Sequence, residues 1–319
     1  MAFNLREEIK LRRPNIGENS LKIYLANLSK LNDKQPIDSL DFLKDIDNVK
    51  NIFTKYSTPT QRNYITSILV GLSIYDNGEN WKDWEPVYEK YKKILEDKTS
   101  DYQKNIESHR KNQKQQDGWV SRADQLKLIN KYKKQLKDMN FSLESPSKAG
   151  FKIFQHLVVV ALYYYAPPRR LDYAPMEIIY TRDDDDGKKN YLLVLSKSKK
   201  YFIFNKFKTA KIYGKQEIQV TDKKLNKLLN DWLVVIGDKK SNSFLFNSKN
   251  QPLSSNGLGK LITEAYMPSG ISTVTVNILR HVYATEMVGV EMIDKENDRK
   301  KIAKEMGHSK DEQLNYIKV

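Results

Sequence analysis

The apolar run from Ile153 to Pro168 limits the folding of this chain more than any other feature of its sequence. The run is about 16 residues long and contains Gln155 and His156, so it is too short and too polar to cross a bilayer. It therefore predicts a helix that is buried in a protein core. Pro167 and Pro168 must end this helix, because proline lacks the backbone N–H and clashes with the preceding turn.

The residues around this run alternate between helix-like and strand-like patterns. Apolar residues at helical spacing predict helices at 121–139, 148–165, 221–236, 255–266, 275–288 and 300–319. Segments rich in β-branched and aromatic residues predict a small antiparallel sheet with strands at 177–181, 191–195, 201–207 and 216–220. The acidic run at 183–186 precedes Gly187 between two strand patterns, so we interpret it as a solvated hairpin turn rather than a metal site.

The first third of the chain has a different character. Residues 1–80 predict short helices, including one at 20–31 and one that starts at Thr58 with Pro59 in its first turn. From Trp81 to Gln116 the composition is charged and polar, which predicts a long exposed helix or tether. We place the domain boundary near Gly118, between a helical domain at 1–117 and a larger α+β domain at 118–319. The predicted fold class is mainly α with a small antiparallel β-sheet.

Charge points to a polyanionic partner. The formal net charge is +15 and the pI is near 9.5, and the low hydropathy throughout favours nucleic acid over a membrane. The chain has no cysteine, which excludes disulfides and thiolate metal sites. The N-terminus lacks the apolar core of a signal peptide. We therefore expect a protein that acts inside the cell, at DNA, and that is not secreted.

The chain also carries residues suited to breaking a phosphodiester without metal or ATP. Arginines can hold the non-bridging oxygens of the transition state, and a tyrosine phenol can form a covalent phosphoester. A lysine can protonate the leaving oxygen. Candidates for these roles occur in order along the sequence: Arg169, Lys208, Asn277, Arg280, His308 and Tyr316.

The motifs around these residues resemble those of the tyrosine recombinase (phage integrase) family. The family carries an Arg with an acidic residue three positions later, then a Lys in a hairpin turn that is often followed by Thr. A His-x-x-Arg-His cluster, a Gly-His-Ser motif and a Tyr eight or nine residues later complete the set. The matching residues here are Arg169 and Asp172, Lys208-Thr209, the segment Asn277 to His281, Gly307-His308-Ser309, and Tyr316.

The motifs that carry this resemblance lie within residues 118–319. Residues 1–117 resemble the family only in that they predict a small helical domain that would clamp DNA. The resemblance implies a two-domain clamp around double-stranded DNA, and a homo-oligomer, a tetramer, assembled on that DNA. Tyr316 would form a 3′-phosphotyrosine bond while Arg169, Arg280, His308 and Asn277 hold the phosphate and Lys208 protonates the 5′-oxygen. No cofactor and no metal are implied. The lysine-, asparagine- and tyrosine-rich composition suggests recombinases of large DNA viruses, virophages or their mobile elements.

Several assignments remain open at this stage. Arg170 competes with Arg169, and Lys206, Lys211 and Lys215 compete with Lys208. Many members of the family continue past the tyrosine with a helix that docks onto a neighbouring protomer, which implies either a longer natural chain or another means of coupling protomers here.

The main departure from the family pattern is Asn277, which stands where the family usually has His. An asparagine can hydrogen-bond a phosphate but cannot transfer a proton. We therefore expect any titration of cleavage between pH 5 and 8 to come from His308. Two other functions remain possible: a type IB topoisomerase with the same chemistry, and a non-catalytic DNA-binding protein derived from this fold.

Overall fold

The computed structural model describes residues 3–76, 78–107, 110–237, 242–288, 302–309, 312 and 315–316. It divides into two compact units, Met1–Ser108 and His109–Val319. The first unit is helical in its described residues. Its helices are α1 (Leu5–Arg12), α2 (Glu18–Leu31), α3 (Ile46–Phe53), α4 (Thr58–Leu72) and α5 (Trp81–Glu107).

Helix α4 is the centre of the first unit. Ser57 precedes the helix and Pro59 lies in its first turn, where the missing N–H costs no hydrogen bond. Its apolar residues, including Ile65 and Ile68, are fully buried in a core with Leu21 and Leu28 of α2. The first unit therefore has a hydrophobic core of its own, as a separate domain requires.

The second unit begins earlier than the sequence indicated. Helix α6 (Gln113–Gly118) belongs to it, because Gly118 packs tightly against Ile278 and Thr273. A Cβ atom on Gly118 would lie 2.9 Å from the Thr273 carbonyl oxygen. Gly118 thus belongs to the core of the second unit, as the predicted domain at 118–319 has it, whereas the two compact units divide after Ser108.

Helix α8 (Lys148–Tyr165) is the core helix of the second unit, as the apolar run predicted. Residues Val158 to Leu162 are fully buried, and helices α7 (Arg122–Asp138), α10 (Lys223–Ile236) and α11 (Ser255–Tyr266) pack around α8. The helix ends at Tyr165, and Ala166 is already extended in front of the two prolines. No helix in the described ranges is long and apolar enough to cross a membrane.

The predicted small sheet is present, and the mainly helical fold class is confirmed. The strands are β1 (Glu177–Ile179), β2 (Tyr191–Val194), β3 (Lys200–Phe204) and β4 (Gln216–Gln219), in that spatial order. The pairs β2–β3 and β3–β4 are antiparallel, whereas β1 runs parallel to β2, with Glu177 opposite Tyr191. The prediction of a purely antiparallel sheet was therefore wrong for one pair.

The acidic run explains this difference. Because β1 and β2 are parallel, residues 180–190 form a crossover that returns the chain to the start of β2, and not a hairpin turn. Asp186 accepts hydrogen bonds from the Lys188 amide (2.7 Å) and the Tyr191 hydroxyl (2.6 Å). Asp185 accepts from the Gly187 amide and pairs with Lys215. These carboxylates hold the crossover in shape, a role that a turn pattern in the sequence does not reveal.

The last described elements carry the candidate site. Helix α12 (Val276–Tyr283) begins at the predicted cap, Thr275, and continues as a π-helical turn, Ala284–Val288. Residues 302–306 are helical, and Gly307 ends them with φ +71°. The short helix α9 (Ala210–Tyr213) lies between β3 and β4. The rest of the predicted helix at 300–319 lies largely outside the described residues.

The packing at Gly118 gives a test of the domain assignment. Gly118→Ala should lower the free energy of unfolding by about 1–3 kcal/mol, because its Cβ would press against the Thr273 carbonyl. Gly259→Ala is the matched control: it lies inside α11 with nothing within 4 Å, so it should raise stability by roughly 0.5–1 kcal/mol. Urea denaturation measures both. Equal effects of the two changes would contradict the close packing of Gly118.

Candidate active site

Arg169 lies just beyond the prolines and is almost fully buried. Its Nε donates to Asp172 (3.1 Å), and its Nη1 donates to the side-chain oxygen of Gln216 in β4 (2.6 Å). The guanidinium carbon lies 4.2 Å from the centre of the Phe204 ring and 4.7 Å from that of Phe207. The side chain is therefore fixed by an ion pair, a hydrogen bond and two aromatic faces, with little freedom to move.

The end of helix 302–306 lies against both candidate arginines. The last carbonyls of a helix have no partners within it and carry partial negative charge, so cations near them are stabilising. Here four consecutive carbonyls accept hydrogen bonds from side chains elsewhere in the unit. The pairs are Lys304 with Gln216 Nε2 (3.1 Å), Glu305 with Arg169 Nη1 (3.0 Å), Met306 with Arg280 Nη1 (2.9 Å) and Gly307 with Thr209 Oγ1 (2.8 Å).

Gly307 is required by this arrangement. Its φ of +71° lies in the left-handed region, and a Cβ there would lie 2.8 Å from Arg169 Nη1. Any other residue would be strained and would push Arg169 away. The glycine of the Gly-His-Ser motif thus lets the chain turn tightly around an arginine and brings His308 into the site.

Both arginines retain donors that no described residue uses. Arg280 is fully buried and also donates through Nη1 to the Pro168 carbonyl (2.8 Å). Within the described ranges, Arg280 Nε and Nη2 and Arg169 Nη2 are buried without a hydrogen-bond partner. Burying such charged donors unpaired is costly. The arrangement is therefore a ready-made anion site, which phosphate oxygens would complete.

A cavity of about 620 Å³ opens beside these donors. Arg170, Asp172, Lys206, Asn277 and Arg280 are among its lining residues. Arginine and lysine outnumber carboxylates in this lining, so the cavity favours a negatively charged occupant.

His308 is neutral at physiological pH. Burial first, and then the charges of the neighbouring arginines, lower its pKa to about 4 against the opposing effect of its bond to the Ser309 carbonyl. Because Nδ1 donates to that carbonyl (2.9 Å), Nε2 carries the lone pair, and it has no partner among the described residues. In the free protein this pKa lies below the range of pH 5 to 8, and the expectation that a titration of cleavage in that range comes from His308 stays a prediction for the cleavage reaction.

The Tyr316 side chain lies against His308, Arg280 and Arg170. Its ring stacks on that of His308, with ring centres 5.1 Å apart, and lies 4.8 Å from the Arg280 guanidinium carbon. Its hydroxyl lies 3.4 Å from Arg170 Nη2, and its side chain is buried. Both arginines of the Arg169-Arg170 pair thus lie at the site: Arg169 beneath it and Arg170 at the phenol.

Asn277 contacts the site through a neighbour. Its side-chain nitrogen lies 3.4 Å from His281 Nε2. Because His281 Nδ1 donates to the backbone carbonyl of Tyr316 (2.9 Å), its Nε2 carries the lone pair and can accept a hydrogen bond from Asn277. The structure therefore places Asn277 in contact with the segment that carries the tyrosine, through His281, as well as on the wall of the cavity.

Residues 195–317 match the family model described as the phage integrase family. The resemblance to tyrosine recombinases is confirmed. No curated protein matches the chain. Among solved structures, a crystal structure of XerA recombinase is similar, with 14% sequence identity and a TM-score of 0.43, over 99% of this chain and 93% of that chain. The match to the integrase family includes Lys208, Asn277, Arg280, His308 and Tyr316, whereas Arg169 precedes it.

Lys208 is exposed and precedes α9 in the connection between the antiparallel strands β3 and β4, so it lies in a hairpin connection as expected, although this connection is long and contains a helix. A tighter hairpin turn joins β2 to β3 at residues 195–199. That turn carries Lys197 and Lys199. Lys208 is nevertheless next to Thr209, which bonds to Gly307, and Lys206 lines the cavity. Position alone therefore leaves Lys206, Lys208 and Lys197 as candidates for the lysine that protonates the leaving oxygen.

Sequence motifs do not reveal every residue and contact that shapes this site. Gln216 bridges Arg169 to the Lys304 carbonyl, and no sequence signal distinguishes it from other strand glutamines. The motifs include His281 and Arg170 but not their contacts: His281 binds the tyrosine segment, and Arg170 lies at the phenol. Both contacts join residues that are far apart in sequence.

The charge state of His308 can be measured directly. We expect NMR titration to give a pKa of about 4 for His308 in the free protein. Orthovanadate, a phosphate-like anion, should raise this pKa, because it would offset the field of the arginines. His156 is the control: burial lowers its pKa to about 4 as well, and it lies on α8 outside the cavity lining, so vanadate should not change it. A free-protein pKa near 6.5 for His308 would contradict the buried site.

Proposed function

We propose that this chain is a site-specific DNA recombinase that cleaves and rejoins DNA through a 3′-phosphotyrosine at Tyr316. One observation carries the proposal: buried, unpaired arginine donors lie directly beside a tyrosine ring and a neutral histidine. Arginine donors of this kind suit the equatorial oxygens of a phosphoryl-transfer transition state. The match of residues 195–317 to the phage integrase family supports the same chemistry.

The reaction can be written from the groups at the site. The Tyr316 oxygen attacks the scissile phosphorus, and its proton passes to the lone pair of His308 Nε2. Arg169 and Arg280 hold the two non-bridging oxygens as the 5′-oxygen leaves, and a lysine protonates that oxygen. The products are a 3′-phosphotyrosine and a free 5′-hydroxyl. The 5′-hydroxyl of a second strand then gives its proton to the neutral lysine and attacks the phosphorus, and the tyrosine leaves and takes its proton back from His308.

Among the lysines we propose Lys208 as the proton donor. The Thr209 hydroxyl ties its segment to the Gly307 carbonyl, next to His308, and the Lys208 side chain is exposed to an incoming substrate. Asn277 is proposed to orient the tyrosine segment through His281 and to contribute to the wall of the phosphate site.

The wider setting is also a proposal. The net charge of +15 supports double-stranded DNA as the partner, bound inside the cell by a homo-oligomer, for which we propose a tetramer. A strand exchanged between two duplexes distinguishes this function from that of a type IB topoisomerase, which rejoins the strand that it cut. A plasmid assay that resolves crossover products from relaxed circles separates the two outcomes.

Tyr316→Phe tests the nucleophile. On a nicked substrate that traps the covalent intermediate, the variant should form no protein–DNA adduct, since phenylalanine has no oxygen to attack phosphorus, while duplex affinity should change little. Tyr283→Phe on α12 serves as the matched control and should form adducts at the wild-type rate. Adducts that persist in Tyr316→Phe would rule out the assignment.

Substrates with a sulfur in place of the bridging 5′-oxygen identify the proton donor, because a thiolate can leave without a proton. Lys208→Ala should slow cleavage of ordinary DNA by about 10²–10⁴-fold, yet cleave the sulfur substrate at nearly the wild-type rate. Arg280→Ala should be slow on both substrates, since its role is toward the non-bridging oxygens.

The same pair of substrates decides among the other lysines. Lys206→Ala and Lys197→Ala should lose little activity on either substrate if Lys208 is the donor. Rescue by sulfur in one of these variants, with Lys208→Ala unaffected on both substrates, would transfer the role to that lysine.

A further inference from the structure

The loop at residues 207–216, which joins β3 to β4, is attached to the candidate site at both ends. At its start, the Phe207 ring lies 4.7 Å from the Arg169 guanidinium carbon. At its end, the Gln216 oxygen accepts a hydrogen bond from Arg169 Nη1. Between them, Thr209 donates to the Gly307 carbonyl. Three separate contacts therefore fix the 207–216 loop to Arg169 and to the His308 segment.

The middle of the loop is ordered by its own backbone. The Ala210 amide donates to the Phe207 carbonyl (3.0 Å), and the Gly214 amide donates to the Ala210 carbonyl (2.8 Å). Gly214 ends α9 with φ +65°, in the left-handed region that suits glycine. The loop therefore holds one shape although α9 has no buried residue.

The exposed side of the 207–216 loop combines an apolar and a cationic character. Ile212 is 77% exposed, the highest value among the large apolar side chains described as exposed in the second unit. Lys208 and Lys211 are exposed around it, and the loop has no acidic residue. A single exposed isoleucine needs no partner of its own, but here it is held in an anchored loop between exposed lysines and next to the candidate site, which suits a polyanionic partner that also offers apolar surface.

We propose that this loop is a DNA-contacting element, with Ile212 pressed against sugars or base edges in the minor groove beside the scissile phosphate. Lys211 would contact a flanking phosphate, while Lys208 serves the leaving 5′-oxygen as proposed above. The inference rests on the proposed function, since it places a phosphate at Arg169. Minor-groove proteins commonly pair basic residues with apolar side chains that press between base steps.

Distances along the chain limit where Ile212 can act. It lies three positions after Thr209, so its backbone lies within roughly 10 Å of a residue bonded to Gly307. Base pairs stack at about 3.4 Å intervals along the duplex. Ile212 is therefore positioned to touch DNA within about three base pairs of the cleaved bond.

The absence of cysteine from the sequence makes a direct test possible. Ile212→Cys introduces a single thiol, which can form a disulfide with DNA that carries thiol tethers at known positions around a phosphate cleaved by the wild-type chain. We expect crosslinks only within about three base pairs of that phosphate, on the minor-groove side. Val234→Cys, on α10 and 47% exposed, is the matched control and should not crosslink there.

The readouts separate this inference from the proposed function. The tyrosine adduct survives reduction, whereas the disulfide does not, so each is scored in the same sample. Adducts without Ile212→Cys crosslinks near the cleaved phosphate would overturn the inference and leave the function standing. Disulfide-linked protein dimers in place of DNA crosslinks would assign the loop to a contact between copies. If no duplex forms an adduct, the function fails and the inference falls with it.

Affinity measurements give a second test that does not depend on tethers. Ile212→Asn should weaken duplex binding about 10-fold without changing its salt dependence, because no charge is lost, and Ile212→Leu should restore binding. Lys211→Gln should lower the slope of log affinity against log salt by roughly one. Val234→Asn should change neither quantity. An unchanged affinity for Ile212→Asn would contradict the proposed contact.

Discussion

The hydrogen bonds between the end of helix 302–306 and the two buried arginines hold the candidate site together. Arg169 and Arg280 come from parts of the unit more than a hundred residues apart, and each gives its Nη1 to a carbonyl of this short helix. Since the helix end is negative and the arginines are positive, the contact is favourable before any substrate arrives. The position of His308 follows from it, because Gly307 turns the chain around Arg169.

In each guanidinium, some donors are bonded to the protein and others remain for a substrate to use. In Arg280, Nη1 donates to two protein carbonyls, whereas Nε and Nη2 are buried without partners in the described part of the chain. In Arg169, Nε and Nη1 are bonded to the protein, and only Nη2 is buried without a partner there. The protein carbonyls fix the guanidinium planes, so a phosphate would meet donors that are already aimed. Such preorganisation lowers the cost of reorganising charge during reaction. The same burial makes the empty site energetically costly, a cost that an anion would relieve.

Local sequence signals predicted much of this fold, and non-local contacts explain the errors. The end of α8 at the prolines and the start of α12 after Thr275 depend on neighbouring residues, so they were correctly predicted. The parallel pairing of β1 with β2 depends on the path of the chain between the two strands, which the strand pattern of the sequence does not encode. The connection that carries Lys208-Thr209 does join two antiparallel strands, but the sequence did not reveal the helix inside it or the tighter turn at 195–199. Gln216 has no motif at all.

The electrostatics of the site also order its proton transfers. The arginines that would attract a phosphate help to keep His308 neutral, so its Nε2 lone pair is ready to take the phenol proton before the bond to phosphorus forms. A bound phosphate would offset this field, and the imidazole could then hold the proton that it has received. Asn277, which cannot titrate, adds no competing charge at the point where the family usually has an imidazole. In the proposed reaction the change of charge during cleavage would thereby be concentrated on His308, the lysine donor and the phosphate itself.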